Sequence, residues 1–115
     1  VNQLYQHIAI GLFVLFPAIV SPVVQAAVEQ PDAAQRQYER GAALLRKGDL
    51  PAASEAAKKA IELNPSSAEA HHLLGRIYFK DKKPAQAVDS FTRALKLKPA
   101  YPDALNDLAE VYVIQ

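Results

Sequence analysis

PSSAEAHHLLGRIYFKDKKPAQAVDSFTRALKLKP, residues 65–99, is the stretch whose reading decides the fold. Behind its first proline, His71, Leu74 and Tyr78 recur at spacings of three and four, which places them on one face of a helix over about 68–81, with Gly75 beside them. From about Pro84 to Leu97 a second helical pattern turns Ala87, Phe91, Ala94 and Leu95 inward. Large residues on one helix then meet small ones on the other, and Gly75 lets the two approach closely. The expected unit is an antiparallel helical hairpin. Lys98-Pro99 closes it, because the residue before a proline is pushed out of helical geometry.

Sliding the chain along itself shows that this hairpin is repeated. Pro65 and Pro99 lie 34 residues apart, and the same register aligns Gly41 with Gly75 and Ala109, Ala53 with Ala87, Ala60 with Ala94, Leu63 with Leu97, and Leu44 with Tyr78 and Tyr112. An earlier hairpin is therefore expected over 34–47 and 50–63, turning at Gly48-Asp49 with Asp49 as N-cap and carrying Ala57 and Ile61 inward. Ser66 followed by Glu69 reads as a capping box opening the next unit. A last helix, about Pro102 to Ile114, holds Leu105, Leu108, Ala109 and Tyr112 in register.

These residues resemble the tetratricopeptide repeat, a 34-residue helical hairpin with small residues at its eighth, twentieth and twenty-seventh positions and a proline near its end. The signature set is Gly41, Leu44, Ala53, Ala60, Pro65, Leu74, Gly75, Tyr78, Ala87, Phe91, Ala94, Pro99, Leu108, Ala109 and Tyr112. The resemblance implies an all-α superhelix with repeats at 34–67 and 68–101 and the first helix of a third at 102–115. Four departures stand out. Gln37, Arg40 and Ala57 are polar or small where the family has bulky apolar residues, and Lys82-Lys83 replaces the usual glycine and capping residue.

Residues 1–33 read differently. The stretch from Ile8 to Val28 is uncharged, and Ile8 to Phe16 is apolar but for one glycine, the size of a signal-peptide core. Pro17 and Pro22 interrupt it, and Val24-Gln25-Ala26-Ala27 offers small residues for cleavage. Residues 1–27 are read as a signal peptide, or alternatively an uncleaved membrane anchor, followed by a short linker at 28–33. Val1 and the absence of methionine imply either a start at a non-standard codon or a missing start. The apolar end of the last helix, Val111 to Ile114, would ordinarily be covered by a following helix, so either the chain continues or another molecule covers it, self-association included.

Composition excludes several functions. With 13 basic against 12 acidic residues, the totals imply no face for nucleic acid. There is no cysteine, hence no disulfide framework or thiolate chemistry. His71 and His72, adjacent on a helix, point about 100° apart and do not share a metal ion, so no metal site or cofactor is expected. The serines suit caps and exposed positions; no nucleophile elbow or phosphate-binding glycine loop is present, and no enzyme is expected. The lysines at 80, 82, 83, 96 and 98 with Arg93 are interspersed with Asp81 and Asp89 and read as a solvated face. Membrane contact is assigned to the N-terminal segment alone.

The resemblance implies that the first helices of the units form a concave surface that holds a protein or peptide. By repeat position its lining residues are Tyr38, Ala42, Leu45, Glu69, His72, Arg76, Phe79, Asp103, Asn106 and Glu110. In the subclass that clamps a C-terminal carboxylate, the matching positions would be Lys, Asn and Arg; here they are Tyr38, Ala42, Leu73, Asp103 and Asp107. Chaperone tails are therefore disfavoured partners. The function expected is an exported or envelope-associated scaffold, periplasmic or secreted. The alternatives are a membrane-tethered assembly factor or the regulatory N-terminal part of a longer enzyme or secretion component.

Overall fold

The computed structural model describes residues 32–115; the leader reading and linker residues 28–31 lie outside these, and Ala33, read as the end of the linker, already opens the first helix. Five helices follow one another: α1 (Ala33–Lys47), α2 (Leu50–Leu63), α3 (Ala68–Lys80), α4 (Pro84–Leu97) and α5 (Pro102–Ile114). The pairs α1·α2 and α3·α4 form antiparallel hairpins, α2·α3 and α4·α5 pack between units, and α1, α3 and α5 touch in sequence along one side. This is the all-α stack of hairpins expected, and Ala33–Gln115 makes one unit. Among the described residues no helix is long and apolar enough to cross a membrane.

The core is divided by repeat. Leu45, Ala53, Ala57, Leu73, Leu74 and Ile77 form one buried cluster and Ala87, Phe91 and Val111 another. Tyr78 packs partly buried against both. Alanine serves at 53, 57, 87 and 94 because the facing helix leaves no room for a longer side chain, and all four are fully buried. The two signature glycines serve the same purpose unequally. A Cβ built on Gly75 would lie 2.6 Å from two ring carbons of Phe91, whose side chain is fully buried. On Gly41 it would lie 3.2 Å from a Leu73 methyl and 3.3 Å from the Ala57 backbone nitrogen.

The turns differ as well. Gly48, at φ 84°, takes the left-handed conformation and Asp49 caps α2 by accepting from the Ala52 N–H at 3.3 Å. In the second unit Lys82 occupies the equivalent position at φ 58°, a conformation that costs an L-residue on the order of 1 kcal/mol. Lys83 stands where Asp49 stood and makes no side-chain cap bond.

Two expectations are corrected. The capping box does not form as read: α3 begins at Ala68, so Ser67 is the N-cap and its Oγ accepts from the Ala70 N–H at 3.1 Å. The offset of one residue takes Glu69 out of reach of the cap, and it lies 3.7 Å from Lys98 Nζ instead. In α5 the buried positions are Ala104 and Val111, while Leu105, Ala109 and Tyr112 are exposed. Ala109 and Tyr112 correspond to Gly41 and Leu44, which face their unit's own second helix, and no such helix comes after α5 among the described residues. Ala104 and Val111 correspond instead to Ala70 and Ile77, the face packed on the neighbouring unit.

Candidate functional site

The side built from α1, α3 and α5 carries a groove of about 280 Å³ lined by His72, Arg76, Asp103, Asn106 and Asp107. Helical spacing assembles it: His72 and Arg76 are one turn apart on α3, as are Asp103 and Asp107 on α5. His72 is the central residue and is 7% exposed. Its Nε2 lies 2.6 Å from Asp107 Oδ2 and its Nδ1 3.1 Å from the Tyr101 hydroxyl. An ionised carboxylate only accepts, so in the neutral tautomer Nε2–H donates to Asp107 and Nδ1 accepts from Tyr101 O–H. The imidazole also packs against Phe91, with ring centroids 5.6 Å apart, and against Tyr101 at 5.0 Å.

The Tyr101 hydroxyl is held protonated. Burial first, then the negative charge of Tyr38, Glu69 and Asp103, pushes its pKa from 10.0 up to about 12, against an opposing contribution from Arg76. Lys98 Nζ lies 4.7 Å from the centre of the Tyr101 ring. Both imidazole nitrogens are thus occupied by neighbours from α5 and the loop before it. The cluster resembles a proton relay in composition, yet it acts as a pin: it fixes α5 against α3 and thereby the shape of the groove.

The residues expected to line this surface divide into three groups. His72, Arg76, Asp103 and Asn106 share the groove. Tyr38, Ala42 and Phe79 are half-buried beside it and pack against the core clusters, while Glu69 and Glu110 are exposed on its flanks. Leu45 is a correction: it is 4% exposed and belongs to the first core cluster, because α1 is turned so that this position faces Leu73 and Ile77. Tyr101 was not expected here, since repeat position assigns it to a loop. Asp107 was aligned to the clamp pattern, but its bond to His72 links residues 35 apart and leaves no local trace in the sequence.

A larger groove of about 480 Å³ is bordered by Lys58, Tyr78 and Arg93 on α2, α3 and α4. Buried His71 lies at its wall, with Nε2 3.2 Å from the Pro65 carbonyl oxygen. Arg93 and Asp89 pair there at 3.1 Å.

Stacked hairpins with a polar groove on the first-helix side define a protein-interaction scaffold. The chain belongs to the tetratricopeptide repeat family, whose model matches residues 38–103 and 72–115. Over 94 residues it is 31% identical to the Arabidopsis thaliana protein "Tetratricopeptide repeat domain-containing protein PYG7, chloroplastic", which takes in 77% of this chain and 31% of that protein. The crystal structure of MamA is similar with a TM-score of 0.69 at 26% identity, covering 75% of this chain and 50% of that one. The chain spans about a third of the length of the first relative and half of the second. The matched stretch is a non-catalytic repeat scaffold of this family.

Proposed function

We propose that this chain is a membrane-tethered assembly factor whose groove between α3 and α5 holds an extended segment of a protein partner. The observation that carries the reading is the groove itself, pinned by the His72–Asp107 bond, with exposed Arg76, Asp103 and Asn106 presenting hydrogen-bonding groups in a fixed geometry. Pre-organisation of this kind lowers the ordering cost of binding. Charge selects the partner. Helix α5 carries Asp103, Asp107 and Glu110 and no basic residue, so it favours a segment bearing Lys, Arg or amide donors and repels an anionic terminus. The uncharged, largely apolar stretch from Ile8 to Val28 supports the tether.

An exported, envelope-associated scaffold differs from this reading only in cleavage near Ala27. Fractionation of the native protein separates the two: the tethered form stays in the membrane pellet through an alkaline wash with its leader intact, and the exported form is soluble and starts near residue 27 or 28. For the groove, a photo-crosslinker placed at Asn106 is expected to trap a partner that one at Lys59, on α2, does not. Arg76→Glu is expected to reduce the adduct about tenfold without loss of helicity, the size of a lost charged contact. Equal trapping at both positions, or an adduct indifferent to Arg76→Glu, would remove the groove from consideration.

A further inference from the structure

The turn between α3 and α4 is built against its own stability, and the direction of the departure is informative. In the first unit the two turn residues are Gly48, in the left-handed conformation, and Asp49, which caps the next helix. The second unit keeps the left-handed geometry at Lys82 and places Lys83 at the cap. Both replacements are unfavourable: a side chain is forced to positive φ, and a cation sits at a helix N-terminus, where the dipole favours an anion. Strain of this kind at an exposed turn points to a use for the side chains.

The fold gathers more positive charge at the same place. Consecutive helices are antiparallel, so α1, α3 and α5 run parallel and end along one edge of the array. Arg46 and Lys47 close α1, Lys80 closes α3, and Lys82 and Lys83 come directly after it. The two acids of this edge are engaged: Asp49 caps α2, and Asp81 pairs with Lys83 at 3.1 Å. Ile114, 65% exposed, ends α5 in the same row, at the repeat position of Arg46 and Lys80. That position is exposed in both units that possess a second helix, so a second helix in the third unit would leave Ile114 exposed as well.

We propose that this turn edge, centred on Lys82 and Lys83, docks on an anionic lipid bilayer. Cations along one edge are attracted to acidic headgroups, and an apolar side chain at the end of the row enters the interface beside them. The occupant is a membrane surface rather than a polyanion because the apolar Ile114 side chain shares the edge with the cations. A solvated face accounts for Lys80, which suits a helix C-terminus, and for Lys83, which pairs with Asp81, but not for Lys82 at positive φ. Docking by this edge would present the groove sideways, open to a partner that lies at the same membrane.

The test uses the full chain and vesicles of phosphatidylcholine alone or with phosphatidylglycerol, so that any contribution of the leader is common to both. Wild-type protein is expected to bind the anionic vesicles about tenfold or more tightly than the neutral ones. The double substitution Lys82→Gly, Lys83→Asp, which restores the turn of the first unit, is expected to abolish this increment while raising Tm and leaving partner trapping at Asn106 intact. Opposite changes in binding and stability are not the mark of a merely structural turn, and the trapping readout separates this proposal from that of the groove. Ile114→Ser leaves the charge unchanged and is expected to weaken anionic vesicle binding severalfold. No increment in the wild type, an increment that survives the double substitution, or Ile114→Ser binding like wild type would overturn the proposal. Lysine-dependent retention on duplex DNA without vesicle binding would assign the edge to a polyanion instead.

Discussion

The two complete hairpins share one backbone plan and secure it by different means. The first relies on its turn, with Gly48 relaxed at positive φ and Asp49 capping α2, while the buried positions of its own two helices are small except for Leu45. The second has a strained, uncapped turn and relies on its interior, where Phe91 fills the space over Gly75 and His72 is pinned to the next unit. A repeat fixes where helices meet, and each unit is then free to place its stability at the turn or in the packing. The second unit supplies one wall of the groove, His72 and Arg76, and also the lysine turn.

The largest effect should come from filling the space at Gly75. Gly75→Leu is expected to unfold the array, and Gly75→Ala to lower stability by roughly 2 kcal/mol, because the buried Phe91 ring has nowhere to go. Gly41→Ala meets contacts of 3.2 to 3.4 Å, and better helix propensity offsets the crowding, so the unfolding free energy from denaturant titration should move by less than about 0.5 kcal/mol. Equal losses at the two glycines would erase the contrast between the units.

Next in size is the pin. Asp107→Ala leaves His72 Nε2–H without its acceptor and is expected to lower stability by about 1–2 kcal/mol. Amide hydrogen exchange should rise in α5 before α1 or α2, and Asp107→Asn, which still accepts, should restore part of the loss. Uniform acceleration across all helices would mean that His72 supports the core rather than α5 in particular.

The smallest effect belongs to Tyr101. Its pKa is raised to about 12 in the fold, so the protonated phenol is favoured more by the folded than by the unfolded chain. That stability is complete below about pH 10 and is lost as pH rises through about 12. Unfolding midpoints across this window should fall more steeply for wild type than for Tyr101→Phe, and parallel slopes would show that the hydroxyl is not held by the second unit.

The helical stack was legible because its determinants recur. Gly75, Ala87, Phe91 and Ala94 lie at positions set by the 34-residue period, and the prolines at 65 and 99 mark where it resets. The site was legible only in outline. His72, Arg76, Asp103 and Asn106 follow from repeat position, whereas Tyr101 and the His72–Asp107 bond depend on how one unit sits on the next, a relation with no period of its own. Leu45 was misplaced for the same reason: a small rotation of α1 decides whether that position faces the groove or the core. The Ser67 cap was missed by one residue because Ser66 and Ser67 are equally good caps by type, and the helix start chooses between them.

Tyr78 packs against both core clusters and is the joint between them. Lys58 also lies over its ring at 5.9 Å, so one side chain is held by the first unit, the second and their boundary together. In a linear array each unit gains stability mainly from its neighbours. A residue embedded in two of them couples the repeats across their boundary, so what loosens one is felt in the other.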